Sequence, residues 1–212
     1  MKKHLLILSI IFVVFAACKK ESELKKSVFM EDPDNEGLPA YSEWGYNTFG
    51  AYYDREIFVS NNEVVPSKVI VSNSTMSFIL DGQQGIPDEY YYHYYYKSNF
   101  KSYYTAMSMT FKLSNFLPSD YSNLAIFNDT TLDLTNPSNQ VTVSIDTNKY
   151  TANILSGTLT FKRAQNLKVD KQPIEVILSG YFEFKAIINN KPVTISEGRF
   201  DVGIGPDNFY KY

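Results

Sequence analysis

An all-β chain is what three features of this sequence predict: a single antiparallel β-sandwich or barrel-like domain behind a disordered N-terminal tether. The first feature is aromatic richness. The chain holds 17 Tyr and 15 Phe, and 16% of its residues are aromatic; rings favour the pleated, half-buried surface of a strand. The second is apolar alternation with a period of two, which recurs along most of the chain, while no long stretch keeps the 3.6-residue period of a helix. The third is punctuation. Asn, Asp and Gly turn signals separate many short segments, as in sandwiches and barrels.

The chain opens with Met1, Lys2 and Lys3, an apolar run from Leu5 to Phe15, and then Ala16, Ala17 and Cys18. A positive start, an apolar middle and small residues before a cleavage point mark an export signal. The run is too short for a transmembrane helix, which needs about 20 apolar residues. Cys18 is the only cysteine, and it stands directly after the small residues. The leader resembles that of a bacterial lipoprotein. The resemblance implies cleavage before Cys18 and acylation of its sulfur and amine. Two or more acyl chains hold a protein firmly to a bilayer.

Residues 1–17 are thus expected to be a signal peptide, 18–40 a lipidated flexible tether, and 41–212 the β domain. The tether expectation rests on charge, Pro and Gly, with few apolar residues to support a core. Asp32, Asp34 and Glu36 have oxygen-ligand character, but a calcium loop needs more ligands and a defined turn. They read as a solvated acidic linker.

Strands follow in order. Phe49, Ala51 and Tyr53 alternate, and Glu56 to Val59 follows a break at Asp54 and Arg55. Val69, Ile70 and Val71 form a short apolar run. Met76, Phe78 and Leu80 alternate and stop at Asp81 and Gly82. Met107, Met109, Phe111 and Leu113 share a face, as do Val141, Val143 and Ile145. Residues 119–127 tolerate a turn or two of helix. The strongest segment runs from Ile174 to Ala186: Ile174, Val176, Leu178, Gly180, Phe182, Phe184 and Ala186 on one face, Glu175, Ser179, Glu183 and Lys185 on the other. Gly180 predicts a bend or a close backbone approach. Asn189 and Asn190 predict a tight turn. In the return strand the apolar parity changes from Val193 and Ile195 to Phe200, Val202 and Ile204, so a bulge is expected at Glu197 and Gly198. Ser156 to Lys162 echoes Ser179 to Lys185, which predicts two neighbouring strands meeting the same bend.

Composition narrows the function. The net charge is −3, and removal of Lys2 and Lys3 with the leader makes it two units more negative. Nucleic acid, which demands a basic footprint, is excluded as a partner. With Cys18 lipidated no disulfide forms, and stability must come from apolar burial. Zinc needs several His or Cys ligands, whereas His93 is the only histidine after the leader; no metal and no cofactor are expected. No Gly-x-Ser-x-Gly elbow and no phosphate-binding glycine loop is present. Glu175 and Glu183 share a face, but eight strand residues separate them by roughly 26 Å, beyond the roughly 5–9.5 Å of a glycosidase pair. No catalytic residue is assigned.

The unusual constellation is Glu89, six tyrosines around His93 (Tyr90, Tyr91, Tyr92, Tyr94, Tyr95, Tyr96), and Lys97. As a strand, Tyr90, Tyr92, Tyr94 and Tyr96 share one face and Tyr91, His93, Tyr95 and Lys97 the other. Buried phenols need hydrogen-bond partners, so one row is expected to be wet. That row is either an ordinary strand surface or a ring platform for sugars or another protein. His93 reads as a surface histidine among tyrosines. Trp44 either pins the incoming chain over the core or stacks on a sugar. The candidate ligand-binding residues are therefore Tyr90, Tyr91, Tyr92, His93, Tyr95 and Trp44, with Cys18 as the lipidation site.

Two stretches carry a resemblance. Asn47, Thr48, Phe49, Gly50 and Ala51 precede Glu56, Ile57, Phe58 and Val59; Ser179-Gly-Tyr-Phe-Glu-Phe184 precedes Thr194-Ile-Ser-Glu-Gly-Arg-Phe-Asp-Val202. Both are similar to the opening and ending of a domain in small, uncharacterised Bacteroidota lipoproteins. The resemblance implies a β domain on a lipid anchor and transfers no catalytic or binding residue. Together these readings predict a lipoprotein of a Gram-negative outer membrane, on its periplasmic or surface face. Its expected role is non-catalytic binding of a glycan, or else docking of an envelope protein, with a hydrolase as a third reading.

Overall fold

The computed structural model describes residues 27–60, 65–85 and 105–212. The strands are β1 (Glu31–Asp32), β2 (Asn35–Pro39), β3 (Thr48–Tyr53), β4 (Glu56–Ser60), β5 (Ser67–Ser72), β6 (Thr75–Gln84) and β7 (Thr105–Ser114), then a 3₁₀ helix (Tyr121–Phe127). After it come β8 (Thr130–Asp133), β9 (Asn139–Ile145), β10 (Asn148–Thr151), β11 (Asn153–Val169), β12 (Gln172–Ile188), β13 (Lys191–Ile204) and β14 (Phe209–Lys211). The main sheet runs β10-β9-β7-β6-β4-β3-β13-β12-β11-β8, with β5 on β6 and β14 on β5. β10 and β8 do not pair, so the sheet folds over on itself as a sandwich and is not a closed barrel. β6 serves both layers: its residues 75–80 pair with β5 and its residues 82–84 with β4. All pairings are antiparallel except that of the terminal β14 with β5.

Phenylalanines join the layers. Phe78 of β6 lies 6.3 Å from Phe111, 5.7 Å from Phe161 and 5.2 Å from Phe200, ring centre to ring centre. Phe111 of β7 meets Phe182 of β12 edge-on at 5.5 Å. These rings belong to one buried cluster with Met76, Leu80, Met109, Val143, Leu178 and Val202. The alternating residues are therefore the inward faces of the strands. Ile174 departs from the pattern and is exposed. The β11–β12 hairpin outruns its neighbour, because the last residue of β13, Ile204, pairs only with Val176.

The turns follow from local chemistry. Asn189 and Asn190 have φ of 49° and 59°, and Asp170 and Lys171 have 50° and 67°; such pairs build the tight hairpin turns whose twist matches the strands. The parity change in β13 is a bulge. Phe182 faces Gly198 but Phe184 faces Ile195, so β13 carries one extra residue, with Glu197 at φ 53°. The sequence echo is a paired motif. Gly157 lies opposite Phe184, and Gly180 opposite Phe161. A Cβ on Gly180 would stand 1.9 Å from the Thr160 carbonyl oxygen, so only glycine allows that approach.

The described chain corrects the tether. Residues 31–39 form a hairpin rather than a solvated linker, and Leu38 is fully buried. Polarity misleads here because the acidic groups find protein partners. Glu31 accepts the Gly37 N–H at 3.0 Å, and Asp32 accepts Asp34 N–H and Asn35 Nδ2 at 3.0 Å each. Asp32 also forms an ion pair with the buried Arg199 of β13. The Asp34 amide, then Asn35 and Arg199, hold the Asp32 carboxyl below its ordinary 3.8. A lowered folded-state pKa means that this contribution is complete above pH 3.8 and is lost as pH falls through the folded value. Protease cleavage within residues 27–40 is therefore expected to rise on acidification before the sandwich melts, and Asp32→Asn should flatten that dependence.

Candidate functional site

Cys18 and the row Tyr90, Tyr91, Tyr92, His93 and Tyr95 lie outside the described residues. The strands on either side of the tyrosine stretch are described. β6 ends at Gln84 and β7 begins opposite it at Thr105. Gln84 Nε2 donates to Glu56 at 2.6 Å, and the Asp146 N–H donates to the Ala106 carbonyl at 2.8 Å. These bonds set the flanks beside the β3–β4 and β9–β10 turns.

At that end of the sandwich lies a cleft of about 350 Å³. Three turns build it. Asp54 and Asp146, at φ 55° and 54°, turn β3 into β4 and β9 into β10; Asn189 and Asn190 turn β12 into β13. Asp54 is tied to β13: its carboxylate accepts the Thr194 N–H, and its own N–H donates to the Thr194 carbonyl, both at 2.8 Å. The cleft is lined by the half-buried Tyr53 and Tyr150, the buried Ile188 and Val193, and a rim that includes Asp146, Asn148, Asn189 and Lys191. Burial raises the Tyr53 phenol above its ordinary value of 10.0, with Asp54, Glu56 and Tyr150 adding to the effect. Tyr53 therefore stays a neutral donor. Ring faces, an apolar floor and a rim of carboxylate, amide and ammonium groups suit a ligand that is apolar on one side and hydroxylated on the other. Sequence reasoning missed this cleft because its residues come from five separate strands and their turns. The turn-forming Asp and Asn residues were the only available signal.

Trp44 lies elsewhere. It is 71% exposed, so it does not pin the chain over the core. The backbone around it does the pinning. Asp201 of β13, only 2% exposed, accepts the N–H groups of Trp44 at 3.1 Å, Gly45 at 2.8 Å and Tyr46 at 3.1 Å, and also the Ser42 hydroxyl. Next to it, Asn47 Oδ1 accepts the Gly203 N–H at 2.9 Å. The loop crosses the outer face of the sheet: a Cβ on Gly45 would touch Ile177, and Arg163 donates to the Glu43 carbonyl at 3.1 Å. Tyr41 stacks on Tyr181 at 4.4 Å, and burial, aided by Glu43, holds the Tyr41 phenol well above its usual range.

Asp201 pairs with Ser179, and the cleft residue Ile188 lies nine residues further along β12, roughly 30 Å at strand spacing. Trp44 and the flanks of the tyrosine row therefore do not form one site. The terminal motif is also explained. Arg199 and Asp201 hold the N-terminal segment, Phe200 fills the core, and Gly198 lets the Phe182 carbonyl approach.

Among the described residues, no three His, Cys, Asp or Glu side chains converge in a way that could hold a metal ion. Comparison of the chain with protein-family models, curated protein sequences and solved structures found no match.

Proposed function

We propose that this chain is a lipid-anchored, non-catalytic binding module of the outer membrane that takes a glycan in the cleft beside Tyr53 and Tyr150. The observation that carries the reading is the cleft's place. Its rim residue Asp146 donates its N–H to Ala106 of β7, the strand that pairs with β6, and the tyrosine-rich stretch lies between β6 and β7 in the sequence. Sugar rings offer C–H faces to Tyr53 and Tyr150 and hydroxyls to Asp146, Asn148 and Asn189. The Cys18 leader supports the lipid anchor.

Calorimetry against an array-selected glycan is the test. Tyr53→Ala or Tyr150→Ala should each weaken binding roughly tenfold, since an aromatic contact contributes about 0.5–1.5 kcal/mol beyond its buried area. Tyr91→Ala and Tyr95→Ala should act in the same direction. No affinity for any glycan would overturn the reading. Among the described residues β8 and β10 each pair along one side only, which supports the alternative of an accessory subunit that adds a partner's strand. A reproducible crosslinked protein in intact cells, without glycan affinity, would select it. Turnover of bound glycan that disappears in Asp146→Asn would instead select a hydrolase.

A further inference from the structure

Among the exposed apolar side chains, Trp44, Leu167 and Val169 share one outer face. Trp44 stands out from its clamped loop over Ile177. On β11, Arg163, Gln165, Leu167 and Val169 follow one another at strand period on this same outer face, opposite Ser179, Ile177, Glu175 and Gln172. Leu167 is 43% exposed and Val169 53%. The stripe therefore runs from the Trp44 loop to the projecting tip of the β11–β12 hairpin, where two lysines, Lys168 and Lys171, and one acid, Asp170, are exposed.

This is also where the described chain starts. The Val28 N–H donates to the Tyr46 carbonyl at 2.8 Å, two residues from Trp44. Nine peptide steps separate Cys18 from Ser27, a contour of at most roughly 30 Å. If Cys18 carries the lipid, this face cannot stand farther than that from the bilayer. Trp belongs to the side chains that settle at the headgroup level, partly apolar aliphatic faces bind there, and lysines at the margin favour anionic headgroups. Rigidity helps. The Asp201 clamp holds the loop already, so contact orders few further torsions.

We propose that the stripe of Trp44, Leu167 and Val169 rests on the bilayer that holds the Cys18 lipid, and that the Tyr53–Tyr150 cleft lies at the end away from that stripe. The proposal rests on the lipid-anchor part of the function proposed above and is independent of the glycan. Surface contact adds a second attachment and fixes the orientation of the domain, which a tether alone leaves free.

Trp44 is the only tryptophan in the chain, so its fluorescence reports this face alone. The mature lipidated protein is reconstituted in phosphatidylethanolamine–phosphatidylglycerol vesicles, with and without bromine on the acyl chains. The expected result is a blue-shifted emission that brominated lipid lowers roughly twofold, because the indole lies at the interface. Leu167→Glu with Val169→Glu should restore water-like emission while the protein still floats with the vesicles. Flotation with water-like emission and no bromine effect in the parent protein would overturn the proposal and leave the anchor standing. Failure to float would overturn both. A spectral shift that follows protein density rather than bromine would give the stripe to a second copy of the chain, and so also overturn it.

Discussion

Asp201→Ala will destabilise the protein by about 3 kcal/mol and lower its melting temperature by roughly 10 °C. The magnitude follows from the number of donors that one carboxylate serves. Three backbone N–H groups and a serine hydroxyl converge on it behind the Trp44 loop. Removing the acceptor leaves them unpaired in a place shielded from water, which costs more than the mean value of a hydrogen bond. Asp201→Asn separates shape from chemistry. One carboxylate oxygen accepts from Ser42, Trp44 and Tyr46, and the other from Gly45. An amide must present its own N–H₂ to at least one of these donors, so the isosteric variant should lose most of what Ala loses. Thermal denaturation followed by circular dichroism measures the cost. Trp44 anisotropy in the folded state should fall in both variants as the loop is freed; unchanged anisotropy would show that the loop is held by something else.

Phe78→Ala should be more damaging, at about 3–5 kcal/mol. Phe78 is fully buried on β6 and touches rings from β7, β11 and β13, so the void would open between the two layers rather than at the rim. Phe78→Leu keeps part of the volume and should cost much less. Phe116 is a useful control. It packs on Phe127 at 4.8 Å but is only partly buried at the edge of the core, and its truncation should cost less than half as much as that of Phe78. Denaturant unfolding compares the series; equal losses at both positions would contradict a core centred on the β6–β13 interface.

The inward faces of β6, β7, β9, β12 and β13 were legible because one side of each strand is core and the other is not, which forces a period of two. The β13 bulge was legible for the same reason: a single inserted residue reverses parity, and Val193, Ile195, Phe200 and Val202 record that reversal. The 179–185 echo was readable because each glycine must face the other strand's phenylalanine. The β1–β2 hairpin was not readable, since its stability comes from Arg199, more than 160 residues away, and from one apolar side chain, Leu38. The exposure of Trp44 was hidden likewise. A tryptophan at a domain boundary is ordinarily buried, and only the Asp201 contacts reveal that backbone rather than indole secures the loop. The cleft escaped notice because no local pattern tells Tyr53 that Tyr150 will stand across from it.

The stitching of the opening segment to β13 sets the order of events during synthesis. Residues 32 and 42–47 depend on Arg199, Asp201 and Gly203 for these bonds, so a ribosome-bound fragment that ends before residue 199 lacks those partners for its own beginning. Docking must wait until β13 has been made. Contacts of such long range also form slowly. Until then the opening segment lacks the bonds that clamp it to β13, and it stays loosely held while the later strands are still being made.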